Sequence, residues 1–170
     1  LLLNGKSENI INTDEDLFLN VVEKNIGDLR MICSGLEQTG KFTHPPEPLP
    51  QNLNEIAKAV SESKSDIGFA QDPDADRLVV VNEKGVVISE ECTLALAIKN
   101  VSRDNIGDVV INLSTSRMSE DIAHEYGRKV LKTKIGEGNI VEKLLQIDGA
   151  IGGEGNGGVI YPKVNTARDS

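Results

Sequence analysis

An acidic segment enclosed by two apolar runs is the feature that most constrains this chain. Residues 67–70 and 78–81 are short apolar runs with the length and composition of buried strands. Between them, Asp72, Asp74 and Asp76 alternate with a proline and an alanine. In an extended loop this spacing turns the three carboxylates to one side, within reach of a single ion. Because close carboxylates repel one another, a hard divalent cation, Mg²⁺ or Ca²⁺, is the expected counter-charge.

Other interpretations of this segment are a solvated acidic turn, a calcium loop of the EF-hand type and a phosphatase loop. The flanking apolar runs count against a simple solvated turn. An EF-hand counted from Asp72 has Glu83 at its twelfth position, but Arg77 stands at the sixth, where a glycine is needed. The segment also resembles haloacid-dehalogenase phosphatases in having Asp72 and Asp74 after a strand. Arg77 could pair with a carboxylate or direct its planar guanidinium at a phosphate.

The rest of the sequence alternates helical and strand patterns, which indicates an α/β fold. Four of the six prolines fall in residues 43–50, so this stretch is predicted to be an extended connector. We expect two small consecutive α/β domains with mixed sheets flanked by helices, over residues 1–90 and 91–170. Helices are expected to begin near Asn12, Asn52, Cys92, Ser116 (as a capping residue) and Asn139. Strands are expected at 29–33, 67–70, 78–81, 86–88, 109–113 and 130–135, followed by a glycine-dense strand and loop at 149–158.

Charge, hydropathy and cysteine content narrow the class of function. The chain has 18 basic and 27 acidic residues, a net charge of −9, which disfavours nucleic-acid binding because DNA and RNA phosphates would be repelled. No apolar run approaches the roughly 20 residues of a membrane helix, so no membrane association is expected. The two cysteines, Cys33 and Cys92, form no CxxC pattern, which argues against a zinc knuckle and favours a cytoplasmic location.

A second unusual segment, residues 152–158, has five glycines in seven residues. Glycines allow backbone N–H groups to approach a ligand closely. Glu154 and Asn156 stand two positions apart, so both could face that ligand, and a carboxylate beside an amide suits sugar hydroxyls. Gly155 and Gly157 complete the predicted substrate-binding loop. An ordinary flexible hairpin is the alternative, and the lack of a GxGxxG pattern before a helix makes a dinucleotide site a weak interpretation.

Taken together, the two loops resemble those of the α-D-phosphohexomutase superfamily, which includes phosphoglucomutase, phosphomannomutase and phosphoglucosamine mutase. The metal loop of that family reads Asp-x-Asp-x-Asp-Arg, here residues 72–77, and its sugar loop begins Gly-Glu, here Gly153-Glu154. Three further segments are also similar: 44–49, 114–117 and 136–143.

This resemblance implies an enzyme of four domains, of which the chain contains most of the second and third. It implies that Asp72, Asp74 and Asp76 hold Mg²⁺ together with a phosphoserine from a first domain that has no counterpart here. Arg77 would be the catalytic residue that steadies the transferred phosphoryl group. That group would pass between the phosphoserine and a hexose phosphate through a hexose bisphosphate, and so interconvert the 1-phosphate and the 6-phosphate.

The resemblance also implies that Glu154 and Asn156 hold sugar hydroxyls. A fourth, phosphate-binding domain is likewise without a counterpart, so we expect the chain alone to be inactive and to bind Mg²⁺ weakly. The alternative is a stand-alone metal and sugar-phosphate-binding module without catalysis. The acidic pair Glu90-Glu91 is expected to be the exposed end of a strand.

Overall fold

The computed structural model describes the backbone of residues 2–4 and 30–32 and, in full, residues 45–104 and 107–169. The helices are α1 (Asn54–Ser63), α2 (Glu90–Asp104), α3 (Arg117–Glu125) and α4 (Glu137–Ile147), with a 3-10 helix at Pro50–Asn52. The strands are β1 (Leu2–Asn4), β2 (Arg30–Ile32), β3 (Ile67–Gln71), β4 (Leu78–Asn82), β5 (Val109–Asn112), β6 (Val130–Thr133), β7 (Ile151–Glu154) and β8 (Gly158–Ile160). The α/β fold class is confirmed, while the helix expected near Asn12 lies outside the described residues. None of the described helices has the length and apolarity that a membrane crossing requires.

The first sheet holds the acidic segment at one of its ends. Its strand order is β2-β1-β3-β4, and each described pairing is antiparallel. The ladder between β3 and β4 ends with Gln71 opposite Leu78, so residues 72–77 connect the two strands at that end. Helix α1 packs against this sheet, with Val60 in contact with Val81, and both are fully buried.

The second sheet carries helices on both faces. Its order is β6-β5-β7-β8, with β5 parallel to β6 and β7, and β8 antiparallel to β7. Because successive side chains of a strand point to opposite faces, Val109 and Ile111 pack against α2 and α3, while Val110 packs against α4. Helices that cover both faces explain why β5 is a continuous apolar run rather than an alternating one.

The glycine-rich segment divides into strand and turn. Gly152 lies within β7, and only residues 155–157 form the turn to β8. A Cβ atom on Gly152 would lie 2.5 Å from the carbonyl oxygen of Val110 and 2.9 Å from the Ile140 side chain. Gly152 therefore allows the close packing of α4 against the sheet.

The structure differs from the sequence expectation at two places between β4 and α2. Residues 86–88 form only one bridge, with Val81 opposite Val87, because the chain turns at Ser89 into α2. The expectation that Glu90-Glu91 ends a strand is wrong. This pair begins α2, where negative charge is favoured by the positive end of the helix dipole.

Replacing Leu94 with alanine should lower the free energy of unfolding by about 2–5 kcal/mol, because it leaves a cavity between α2 and the second sheet. Leu96 lies on the same helix and is 51% exposed, so Leu96→Ala is the matched control and should change stability by only about 0.5 kcal/mol. Urea denaturation measures both variants, and equal losses would contradict the described core.

Candidate functional site

The connection between β3 and β4 gathers the three predicted metal ligands. Carboxylate oxygens of Asp72, Asp74 and Asp76 lie within 4.8 Å of one another. The connection is a tight turn, not the extended loop inferred from the sequence, because the Ala75 N–H donates to the Asp72 carbonyl oxygen at 3.1 Å. Ala75 adopts a left-handed conformation with a φ of 55°. The carboxylates therefore converge because the chain folds back, and Asp72 is the buried member of the trio.

Arg77 is the partner of the buried aspartate. Its Nε donates to Oδ2 of Asp72 at 2.5 Å, and its Nη1 donates to Oε2 of Glu47 at 2.8 Å. Oδ1 of Asp72 accepts the backbone N–H groups of Asp76 and Arg77, both at 3.1 Å. Burial acts to raise the pKa of Asp72, but the hydrogen bonds and charge of Arg77 outweigh it and hold that pKa below its ordinary value.

The pKa of Asp76 is shifted in the opposite direction, above its ordinary value. Burial raises its pKa, the neighbouring charges of Asp72 and Asp74 raise it further, and the charge of Arg168 compensates only in part. The turn therefore holds more negative charge than its two arginines balance. Three hard oxygen donors this close together fit an oxygen-ligated divalent cation such as Mg²⁺.

Glu154, the last residue of β7, is buried and held by three hydrogen bonds. Its Oε1 accepts the Asn112 side-chain N–H at 2.7 Å and the Gly136 backbone N–H at 3.2 Å. Its Oε2 accepts Nη1 of Arg168 at 2.8 Å. These donors come from the end of β5, from the N-cap of α4 and from the segment after β8, so they fix the carboxylate at the end of β7.

The turn after Glu154 carries the other predicted substrate-binding residues. The Gly155 N–H donates to Oγ1 of Thr115 at 3.1 Å. Oδ1 of Asn156 accepts the Gly158 N–H at 3.2 Å, which orders the turn from within. Gly157 faces the first sheet, since its carbonyl oxygen accepts the Leu78 N–H at 3.2 Å.

The acidic turn (residues 72–77) and the glycine turn (residues 155–157) are joined at Leu78. Besides the bond from its N–H to Gly157, its carbonyl oxygen accepts the Thr93 hydroxyl at 2.7 Å. Gly157 has a φ of 93°, and a Cβ atom there would lie 2.7 Å from the Leu78 carbonyl oxygen. Only glycine is therefore compatible with this junction.

A cavity of about 500 Å³ opens beside the glycine turn. Glu154, Gly155 and Asn156 line it, whereas Gly157 and the three aspartates do not. The cavity and the acidic turn share Arg168, which lines the cavity and pairs with Asp76. The other lining residues are Glu90, Glu91, Asn112, Ser114, Ile135, Gly136 and Glu137.

Ser116 occupies the N-cap position of α3, as expected, but its hydroxyl makes no capping hydrogen bond. Glu91, from the first turn of α2, accepts the Ser116 backbone N–H at 3.1 Å instead. The acidic residue therefore links two helices beside the cavity, a role that the sequence interpretation missed.

Asn112 and Arg168 are also site residues that the sequence analysis did not find. Asn112 is buried at the end of β5, and its Oδ1 accepts Ser114 N–H at 3.0 Å and Thr115 hydroxyl at 2.8 Å. A polar residue after three apolar strand residues is a signal that could have identified it. No pattern in the neighbouring sequence marks Arg168 as a site residue. It reaches the site because the chain folds back along β8, where the Asp169 N–H donates to the Val159 carbonyl oxygen.

Two consecutive α/β units joined through an acidic turn and a glycine-rich turn define the structural class of this protein. Residues 10–85 match the family model of phosphoglucomutase/phosphomannomutase alpha/beta/alpha domain II, and residues 90–170 match that of domain III. The chain belongs to the phosphoglucomutase/phosphomannomutase family of the phosphohexomutase superfamily.

Individual relatives agree with this assignment. A phosphoglucomutase/phosphomannomutase of Thermococcus kodakarensis is 42% identical over 125 residues, which cover 73% of this chain and 27% of that protein. A relative from Methanopyrus kandleri, named as a phosphoglucosamine mutase, is 33% identical over 125 residues, or 73% of this chain and 28% of that protein. A solved phosphoglucomutase/phosphomannomutase family protein from Burkholderia thailandensis superposes with a TM-score of 0.66 at 28% identity, covering 75% of this chain and 28% of that one. The chain thus spans little more than a quarter of the length of these relatives.

Replacing Asn112 with alanine should lower the free energy of unfolding by about 1–3 kcal/mol, because buried groups of Glu154 and Thr115 lose their partner. Asn100, exposed on α2, supplies the control variant Asn100→Ala, which should change stability by about 0.5 kcal/mol or less. Thermal and urea unfolding measure both. An Asn112→Ala protein as stable as the control would contradict the described network.

Proposed function

We propose that this chain is the metal- and sugar-binding part of a phosphohexomutase that interconverts hexose 1-phosphate and hexose 6-phosphate. In this proposal the phosphoryl group passes through a phosphoserine and a hexose bisphosphate, with the phosphoserine domain and the C-terminal phosphate-binding domain supplied by other parts of a longer chain. The observation that supports it most is the direct hydrogen bonding of Leu78, beside the acidic turn, to Gly157 in the glycine turn. This bonding brings candidate metal ligands and candidate sugar ligands into one region.

Asp72, Asp74 and Asp76 are the proposed Mg²⁺ ligands. Asp72 is fixed by Arg77 and by two backbone N–H groups, so it is preorganised, while Asp74 is exposed and accessible to an incoming ion. When bound, Mg²⁺ withdraws charge from a phosphoryl oxygen and so assists transfer of the group.

Arg77 is the proposed catalytic residue. Two of its nitrogens are anchored on Asp72 and Glu47, which holds the guanidinium beside the carboxylate trio. Burial acts to lower the pKa of Arg77, but the two carboxylates outweigh it and raise that pKa. A permanently charged, positioned guanidinium can steady the oxygens of a transferring phosphoryl group.

Glu154, Gly155, Asn156 and Gly157 form the proposed sugar loop. An ionised carboxylate offers about four lone-pair sites, and Glu154 uses three of them for Asn112, Gly136 and Arg168. The remaining acceptor direction has a fixed orientation, which suits a hydroxyl of a hexose phosphate. Asn156 lines the same cavity and provides an amide that can donate to a second hydroxyl. We place this enzyme in the cytoplasm and expect neither nucleic acid nor a membrane among its partners.

Asp74→Ala should abolish Mg²⁺ binding measured by calorimetry on this chain, because an exposed ligand is lost without disturbing Asp72. In the full-length protein the same variant should reduce conversion of glucose, mannose and glucosamine 1-phosphates to their 6-phosphates by at least about 100-fold, in line with loss of a catalytic metal ligand. The 170-residue chain alone should show no conversion.

Asp66→Ala is the matched control, since Asp66 is an exposed aspartate at the opposite end of β3. It should bind Mg²⁺ and turn over substrate like the parent. Equal Mg²⁺ affinity in the parent and Asp74→Ala would overturn the metal assignment. Sugar-phosphate binding without turnover in the full-length protein would instead favour a binding module.

A further inference from the structure

Arg168 contacts both halves of the site at once. Its Nη2 donates to Oδ2 of Asp76 in the acidic turn, and its Nη1 donates to Oε2 of Glu154 at 2.8 Å. Its backbone N–H donates to Oε1 of Glu137 at 2.6 Å, and its Nε lies 3.4 Å from Oε2 of the same residue. The side chain is only 18% exposed, so these contacts are shielded from solvent and not a surface ion pair.

The charges around Asp76 show what Arg168 does there. Arg77 is committed mainly to Asp72, with its Nε at 2.5 Å from that carboxylate and 3.6 Å from Oδ1 of Asp76. The second oxygen of Asp76 is paired with Arg168. Arg168 is therefore the main counter-charge of Asp76 among the described residues.

A divalent cation bound by the trio and Arg168 compete for the same carboxylate. An ion coordinated by Asp76 would lie beside the guanidinium, and two adjacent positive charges repel each other strongly in a partly buried site. Arg168 is also not locked in place by complete hydrogen bonding, since its Nε is buried without a hydrogen bond among the described residues. Different nitrogens bind the two carboxylates, Nη2 for Asp76 and Nη1 for Glu154, so Arg168 can leave Asp76 while it keeps Glu154.

We infer that Arg168 is a positioning residue that a divalent cation displaces from Asp76, so that metal occupancy of the acidic turn is transmitted to Glu154 in the sugar loop. This inference rests on the proposed metal site. Before the metal binds, one guanidinium holds the two loops together through Asp76 and Glu154. After it binds, Arg168 remains with Glu154 and Glu137 and orients the sugar-loop carboxylate. Coupling of this kind is reciprocal, so a ligand that engages Glu154 changes the affinity for the metal.

The test is Mg²⁺ titration by calorimetry of the parent, Arg168→Gln and Arg103→Gln. Arg168→Gln should bind Mg²⁺ about tenfold more tightly, because a competing cation is removed. If Arg168 merely supported the turn, Arg168→Gln would bind Mg²⁺ more weakly, because its loss would loosen the metal ligands. Arg103 lies on the far end of α2 and is 64% exposed, so Arg103→Gln removes the same charge and should leave the affinity unchanged.

A second measurement is made on the parent protein and uses a variant only to assign a signal. In ¹⁵N-labelled parent protein, saturating Mg²⁺ should shift the Arg168 Nε–H signal and leave that of Arg128, which donates to the Ser102 carbonyl oxygen, in place. Arg168→Lys, which keeps the charge, assigns the signal.

The outcomes separate the two proposals. Absence of Mg²⁺ binding by the parent would overturn the metal site itself. Binding that is lost in Asp74→Ala but is unchanged or weaker in folded Arg168→Gln would overturn the role of Arg168 alone. An unmoved Arg168 signal, while signals of residues 72–77 shift, would overturn it as well.

Discussion

The backbone of Leu78 is the constraint on which the site depends. This residue starts β4 directly after the acidic turn, yet both of its backbone polar groups bind the second α/β unit, through Gly157 and Thr93. Backbone polar groups need partners, so the backbone hydrogen bond from the Leu78 N–H to the Gly157 carbonyl oxygen fixes the two turns relative to each other, and the Thr93 hydroxyl adds a side-chain bond from α2. The positive φ of Gly157 makes this approach possible.

Charge balance is the second organising factor. Asp72 and Asp76 belong to one turn, but the pKa of Asp72 lies below its ordinary value and that of Asp76 above it. The difference follows from the arginines: Arg77 is bound closely to Asp72, while Arg168 divides its charge between Asp76 and two glutamates. The two arginines therefore neutralise the carboxylates of this turn unequally.

The sequence predicted those features that arise from local patterns. Strands β3 to β6 and the helices after residue 52 follow apolar periodicity, and the structure confirms them with shifts of a few residues at their ends. The convergence of the three aspartates was also predicted, although their geometry comes from a tight turn at Ala75 rather than from an extended loop.

What the sequence could not predict depends on contacts between distant segments. The sequence around Glu91 does not indicate that its carboxylate accepts the Ser116 N–H, because that contact exists only when α2 and α3 pack together. The link from Arg168 to Asp76 joins residues 92 positions apart. Residues 86–88 have strand-forming side chains, but the start of α2 leaves them no room to extend the pairing. At residues 86–88 tertiary structure overrides local strand propensity.

The most direct test of the central claim, that the two turns form one site, is paramagnetic broadening by Mn²⁺, which takes the same oxygen ligands as Mg²⁺. Substoichiometric Mn²⁺ added to the ¹⁵N-labelled chain should broaden the amide signals of residues 72–77 and, in the same titration, those of residues 155–157. Broadening at residues 72–77 that leaves the glycine turn sharp, or broadening centred elsewhere in the chain, would contradict the account.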